Sequence, residues 1–348
     1  MAAAKGAAGG VAVSSSNRVH LVRAVAVGLA AILLYLALRD VDWGELGAIL
    51  AGARPEYLAL AGLTIVGSIS ARAIRWCGML SIARKVPLAQ AFWATAVGYF
   101  GNAYLPARAG DVLRSLLIGQ RIGSGSFALG ATFAERVLEA LLMTGFGALL
   151  LPLFSGMPAW MERSALGVLA ASVSVLVMLV ILARFKQWLA EVSAGWTWLG
   201  PWRERFFALL DQFLSGARAV RSPRGLTRFL SLSVLAWCFD VASLILVATA
   251  LGLPLALPHA LVLLLALAVA TAVPSTPGYV GVYQFVAVTV LGPFGFSPSQ
   301  ALAHILVVQA ATYAVVTTLG LIGLWRLGAG LASLRGELAR SGAPAELG

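Results

Sequence analysis

Residues 98–140 read GYFGNAYLPARAGDVLRSLLIGQRIGSGSFALGATFAERVLEA, and the fold turns on this stretch. An apolar helix runs down to Tyr104 and stops at Leu105-Pro106, where proline lacks a backbone donor and restricts the residue before it. A turn bearing Arg108, Asp111 and Arg114 follows, flanked by Pro106 and Gly110. A new apolar helix then carries Glu135, Arg136 and Glu139 inside it. At a membrane centre each Asp, Lys or Arg costs roughly 2.5–3.5 kcal/mol. Six ionisable groups in such places mark a pathway or a site rather than a wall of the protein.

The rest of the composition sets the environment. Of 348 residues 60% are hydrophobic and 11% charged, with a mean hydropathy of +0.90. Soluble domains average about 25% charged residues, so the chain is predicted to be a polytopic membrane protein with no separate soluble domain. The net charge of +11 is read as Lys- and Arg-rich cytoplasmic loops facing anionic headgroups rather than as a nucleic-acid surface. Cys77 and Cys238 lie far apart in apolar helices, so no disulfide framework or metal site is indicated. HExxH, CxxC, GxxxxGK and GxGxxG signatures are absent, and no cofactor is expected.

Residues 1–17 are small and polar and read as a disordered tail without a signal-peptide pattern. Spans are predicted at 24–38 and 57–73, joined by a mixed-charge loop over 39–56. A basic turn with Arg72, Arg75, Arg84 and Lys85 follows the second span. The positive-inside rule places that turn and the N-terminus in the cytoplasm. Leu88–Leu105 then enters from inside, but Val112–Gly119 is far too short to cross about 30 Å of hydrocarbon. Residues 88–121 therefore read as a re-entrant hairpin, tolerable at depth only where buried in protein or lining a wet cavity. Further spans are predicted at 127–151, 164–183, 229–251 and 301–327. Between them, 184–228 mixes bases with Trp and Phe and reads as interfacial helix on the cytoplasmic leaflet. The run 258–273, the break TAVPSTPGYVGVYQ and the short 278–291 piece make a second hairpin. The last residues, 331–348, are a predicted cytoplasmic tail.

The hairpins share a Pro-x-x-x-Gly signature, Pro106 to Gly110 and Pro274 to Gly278. About thirty residues beyond each proline stands a polar group in the next span, Glu135 or His304. Each hairpin also follows a long apolar helix, one carrying Arg72, Arg75 and Trp76, the other Trp237 and Asp240. Charge places the units, about 55–155 and 228–328, in opposite orientations. The predicted fold is thus all-α, with about six full spans and two re-entrant or broken-helix hairpins in an inverted internal repeat, about eight hydrophobic segments. Such repeats, with helices broken near the midplane at the binding site, recur in secondary transporters.

Arg108 and Arg114 beside helix ends are suited to a phosphate. The alternative is neutralisation by Asp111, with Arg114 snorkelling to the surface. Glu135 and Glu139 share a helix face and are expected to pair with hairpin arginines or take part in transport. They could also act in acid/base chemistry, although no nucleophile accompanies them, and no catalytic residue is assigned. Asp240 and His304 are single polar residues of the second unit, and His304 reads equally as a satisfied packing residue or a relay. Tyr279, Tyr283 and Gln284 follow the second break, lining a headgroup pocket or sitting at the interface.

GYFGNAYLPARAGDVLR, ATFAERVLEALL and AVPSTPGYVGVYQF closely resemble the membrane region of lysylphosphatidylglycerol synthases, which also occurs alone as a family of flippase-like membrane proteins. The resemblance covers residues 20–330. Its motifs fall on Asn102, Pro106, Arg108, Gly110, Asp111 and Arg114; on Glu135, Arg136 and Glu139; and on Pro274, Pro277, Gly278 and Gly281. Asp111 stands where Glu is commoner. The chain ends at Gly348 without an aminoacyl-transferase domain, so lysyl transfer is not expected. The resemblance implies translocation of an anionic phospholipid or a polyprenyl- or glycan-linked lipid across a bacterial inner membrane. Arg108, Arg114 and Arg136 would receive the phosphate, with Tyr283, Gln284 and His304 along the path. Two rival expectations are an integral-membrane enzyme using Glu135 or Glu139 as base, and a non-transporting partner of an envelope glycosyltransferase complex acting through 184–228.

Overall fold

The computed structural model describes residues 28–82, 85–105, 108–150, 159–193, 200–271 and 277–328, and every regular element among them is helical. After α1 (Gly28–Leu38) come α2 (Trp43–Ala51), α3 (Pro55–Leu80), α4 (Leu88–Tyr104), α5 (Ala109–Ile122), α6 (Gly125–Leu150) and α7 (Ala159–Arg184). The chain continues through α8 (Lys186–Val192), α9 (Gly200–Gly216), α10 (Pro223–Ala250), α11 (Leu257–Ala270), α12 (Val282–Leu291) and α13 (Pro298–Arg326). Proline opens α3, α10 and α13 at a position where its missing N–H costs nothing. Ser222 and Ser297 cap the last two by accepting from the N–H groups of Gly225 and Gln300.

Helices α3, α7, α10 and α13 are long and apolar enough to cross a bilayer. Helix α6 matches them at 26 residues but contains Glu135, Arg136 and Glu139. With α1 these are the six segments predicted as spans. The chain is an all-α, multi-pass membrane protein.

The centre is an antiparallel pair, α3 against α10. Arg54 at the start of α3 donates its N–H to Ala250 O at the end of α10 (2.9 Å). Ser68 meets Asp240, Arg75 meets Ser233, and Gly78 lies beside Arg228. Each of these helices is followed by a hairpin. In the first, α5 doubles back along α4 so closely that a Cβ on Gly101 would lie 2.6 Å from Gly110 Cα; no larger residue fits that crossing. Its open end packs with the C-terminal end of α3 and the N-terminal end of α10, around Leu80, Val86, Ala91, Ile118 and Phe229. The second hairpin, α11–α12, opens at the opposite end, where His259 stacks on Phe294 at 4.7 Å and Leu251, Ala260 and Phe296 share a core. The two closed tips therefore meet inside the bundle.

Two expectations are corrected. The second span does not end at 73: α3 continues to Leu80 and takes Arg72 and Arg75 inside, with Arg75 only 2% exposed. Their positive charge suggested a loop, but carboxylates on α6 and α10 neutralise them. The basic turn shrinks to the residues around Lys85, while Arg84 lies outside the described residues. Second, the loop 39–56 contains α2, capped by the Asp42 carboxylate (2.8 Å to Gly44 N) and held to α13 by Ser297–Glu45 and Ser299–Asp42 hydrogen bonds. The 184–228 segment also packs on the bundle. Helix α9 docks on α6, with Phe213 against Phe133 at 5.9 Å, while Trp202 and Phe206 stay exposed. The predicted tails 1–17 and 331–348 lie outside the described residues.

Candidate functional site

Four helices bring charge to one buried place. Helix α3 presents Arg72 and Arg75, α5 presents Asp111 and Arg114, α6 presents Glu135, Arg136 and Glu139, and α10 presents Asp240. Spacings of three or four put Arg72 with Arg75, Asp111 with Arg114, and Glu139 with both Glu135 and Arg136 on neighbouring positions of their helices. Glu135, 1% exposed, accepts from Arg75 Nη2 (2.9 Å) on one oxygen and from Arg114 Nη2 (2.8 Å) on the other. Glu139 accepts from Arg75 Nη2 (2.8 Å) and Arg72 Nε (3.3 Å). Arg136 grips Asp111 with two parallel bonds, 3.1 and 3.0 Å. Arg72 reaches Asp240 at 2.8 Å and also bonds Ser68. Aromatic faces complete the enclosure, with Arg114 4.6 Å over Trp76, Arg75 4.9 Å over Phe229 and Arg136 5.6 Å over Tyr99. Arginine is the right residue here because its planar fork holds two carboxylates at once.

The ledger of charge balances: Arg72, Arg75, Arg114 and Arg136 stand against Asp111, Glu135, Glu139 and Asp240. Arg108 is outside it. Among the described residues no carboxylate lies within ion-pair distance of its guanidinium. Arg108 instead reaches across to the other hairpin tip, donating to Thr271 O (2.7 Å) and to the Tyr279 hydroxyl (3.1 Å). Both partners have unusual backbone. Arg108 (φ 54°) and Tyr279 (φ 59°) are the non-glycine residues with positive φ among those described. Such strain persists only where the surroundings enforce it, and it gathers at functional sites.

The second tip is polar but uncharged. Gly278 (φ 69°) turns the chain so that its carbonyl accepts from Tyr313 Oη (2.6 Å) and Gln309 Nε2 (3.1 Å). A Cβ there would run into the Tyr313 hydroxyl. Gln284 accepts from Gly281 N (2.7 Å) and donates to Gln309 Oε1 (2.5 Å). Tyr279 and Tyr283 stack at 5.0 Å.

Most predicted site residues thus converge. Arg114 does not snorkel; at 2% exposure it is sealed in by Glu135 and Trp76, with its Nε 3.2 Å from Asp111. Asn102 packs on Gly110 with its buried Oδ1 unpartnered. Pro277 opens the turn before α12, whereas Pro106 and Pro274 lie outside the described residues. His304 stands apart from the tips, with its ring nitrogen 2.9 Å from Leu244 O between α13 and α10. Sequence reasoning singles out Asp240 and Tyr279 but gives no site role to Arg72, Arg75, Thr271, Gln309 or Tyr313. The signal for the two arginines is in the sequence: Arg72 and Arg75, three apart on α3, complement Glu135 and Glu139, four apart on α6. Thr271 acts through its carbonyl, which no side-chain pattern reveals.

The family described as the lysylphosphatidylglycerol synthase TM region matches residues 23–320. This chain belongs to that family. Among curated relatives of the family member, glycosyltransferase AglD of Haloferax volcanii is 27% identical over 339 residues, covering 86% of this chain and 53% of that protein. The chain therefore spans about half of AglD. The UPF0104 membrane protein MJ1078 of Methanocaldococcus jannaschii is 23% identical over 224 residues, covering 64% of this chain and 92% of the relative.

Proposed function

We propose that this family member moves a lipid headgroup across the membrane, with the phosphate of an anionic or polyprenyl-linked lipid received by Arg108 between the hairpin tips. One observation carries the reading: of five guanidiniums around the tips, Arg108 alone has no carboxylate within ion-pair distance among the described residues, and it sits where the two hairpins touch. The paired Arg72, Arg75, Arg114 and Arg136 form the rigid frame behind it. Two units, α3–α6 and α10–α13, each a long helix, a hairpin and a closing helix, are related as an inverted repeat. The antiparallel α3–α10 pair and the opposed hairpin openings support this. Opening one tip contact or the other would expose Arg108 to one side at a time, as in other broken-helix transporters.

Orientation follows from charge. Lys85, Arg121, Lys186, Arg203, Arg205, Arg218, Arg221, Arg224 and Arg326 lie at the end where the first hairpin opens, opposed there by Glu191, Glu204 and Asp211. The other end carries Asp40, Asp42, Glu45, Glu56 and Glu162 against Arg39, Arg54 and Arg163. The first end is cytoplasmic under the positive-inside rule, in a bacterial inner membrane. The chain acts here as a translocator and not as an enzyme, since each network carboxylate is held by a guanidinium and a general base would have to break an ion pair. A second reading draws on the likeness to glycosyltransferase AglD: the chain serves an envelope glycosyltransferase, through the exposed Arg205 and Trp202 of α9.

Proteoliposomes with fluorescent phosphatidylglycerol and a membrane-impermeant quencher test the first reading. Inner-leaflet lipid should become accessible faster with the protein and at the empty-liposome rate with Arg108→Ala. Equal rates for protein and empty liposomes, repeated with a polyprenyl-phosphate probe, would overturn it. Loss of envelope glycosylation in cells on neutralising Arg205, with Arg108→Ala without effect there, would favour the second.

A further inference from the structure

A large apolar groove of about 760 Å³ runs between α7 and the wall made by α6, α11 and α12. Ala140 and Gly147 of α6, Val168 and Val175 of α7, Ala266 of α11 and Phe285 of α12 line it. Its deep end reaches Ala270, the neighbour of the Thr271 whose carbonyl holds Arg108. Its other end reaches Trp160 and Met161 at the start of α7, the end where the second hairpin opens. We infer that this groove is a binding site for one hydrocarbon tail of the lipid whose headgroup meets Arg108; the assignment rests on the translocation reading above.

Three features point to a tail rather than another occupant. The groove lies along membrane-length helices, and its lining is almost wholly aliphatic and aromatic, with hydroxyls of Thr144, Ser164, Ser172 and Thr289 the polar side chains on it. No headgroup or peptide backbone would be satisfied there. Its size is also right. An apolar cavity of about 150 Å³ holds one benzene, so 760 Å³ accommodates roughly five times as much carbon, a long chain rather than a fragment. Finally, an empty groove would forfeit dispersion contacts on both walls, and in hydrocarbon packing rather than water release drives association. Continuity with the tips gives the groove a function: a tail held beside Ala270 keeps its headgroup within reach of Arg108.

Photo-crosslinking tests this without depending on transport. The intact protein is placed in phosphatidylethanolamine vesicles containing phosphatidylglycerol with a diazirine in the acyl chain, and in a second arm a diazirine-bearing polyprenyl phosphate. Adducts are mapped by peptide mass spectrometry. Adducts should concentrate on 137–147, 164–175, 262–270 and 285–290 over the lipid-exposed Leu321 and Ile322 of α13. Ala140→Trp, which fills the groove from an exposed position, should reduce them about tenfold, equivalent to roughly 1.4 kcal/mol of binding. Leu321→Trp should not, and Arg108→Ala should leave groove adducts in place. Labelling with one probe alone identifies the tail class. Even labelling of all lipid-facing helices, or groove labelling that persists in both Ala140→Trp and Ala266→Trp, would overturn the tail site while leaving the headgroup reading standing. Groove labelling with no translocation would do the reverse.

Discussion

The two hairpins solve one geometric problem with different chemistry. In α4–α5 the returning helix is charged, and Asp111 and Arg114 are tied into ion pairs with α6. In α11–α12 the same turn is held by neutral groups, a carbonyl shared by Tyr313 and Gln309 and a Gln284–Gln309 bond. Ion pairs in hydrocarbon are costly to expose, because each unpaired charge must find another partner. Neutral hydrogen bonds between membrane helices average only ~0.6 kcal/mol. On the translocation reading this difference makes the first hairpin the frame and the second the movable part. Arg108 belongs to the charged hairpin, yet among the described residues its guanidinium is fastened to the neutral one.

The strongest way to break this comparison is at Glu135. Glu135→Ala removes the carboxylate that Arg75 and Arg114 share, leaving Arg75 to Glu139 and Arg114 to Asp111, and loss of one partner from a buried pair costs about 3–5 kcal/mol. Thermal unfolding in detergent should show a large drop or no folded protein. Arg75→Met combined with Glu135→Leu should recover part of it, since apolar replacement of a buried pair is often neutral. If Glu135→Ala unfolds like the unaltered protein, the charged hairpin is not the frame. Arg108→Ala comes next. It removes no ion pair among the described residues, so stability should fall by no more than about 1–3 kcal/mol for two hydrogen bonds. The transport rate should fall tenfold or more, ~1.4 kcal/mol of barrier. Arg108→Lys should restore part of the rate. A variant that loses stability and rate in proportion would place Arg108 in the frame.

How much of this the sequence discloses depends on the kind of signal. The helix–Pro-turn–helix pattern of 98–140 and the matching break at 274–278 were enough to place both hairpins, because breaks and short apolar runs are local. Glu135 and Glu139 were visible as costly groups in a span. Their partners were misplaced, since Arg72 and Arg75 near a span's end look like a loop until α6 and α10 are packed beside them. Arg114 posed the same problem: snorkelling and burial differ only by the presence of Trp76 and Glu135, sixty or so residues apart in sequence. The pairing of Arg108 with Thr271 and Tyr279 joins positions more than 160 apart, and positive φ at both tips is a tertiary property. For His304 the sequence leaves packing and relay open, and the fold uses its ring to join α13 to α10.

The smaller tests concern the soft tip. Gly278→Ala would meet the Tyr313 hydroxyl and lie 3.2 Å from Ala103 O, in a left-handed conformation that costs a Cβ roughly 1–2 kcal/mol. A moderate drop in melting temperature is expected, smaller than that of Glu135→Ala, and Tyr313→Phe beside it should relieve part of the clash. Equal drops for Gly278→Ala and Glu135→Ala would erase the distinction between the tips.

Tyr279→Phe is the mildest change and the most informative about motion. It deletes one hydroxyl and keeps the stack on Tyr283, so only the 3.1 Å bond from Arg108 is lost. At the membrane average of ~0.6 kcal/mol the melting temperature should barely move. The same ~0.6 kcal/mol removed from a contact that must open in every cycle would change the transport rate about threefold. A rise means that parting of the tips limits the rate. A fall means that the hydroxyl positions Arg108 for the phosphate. An unchanged rate alongside an inactive Arg108→Ala would show that Arg108 acts on the lipid directly, with the tip contact only a resting place for its guanidinium.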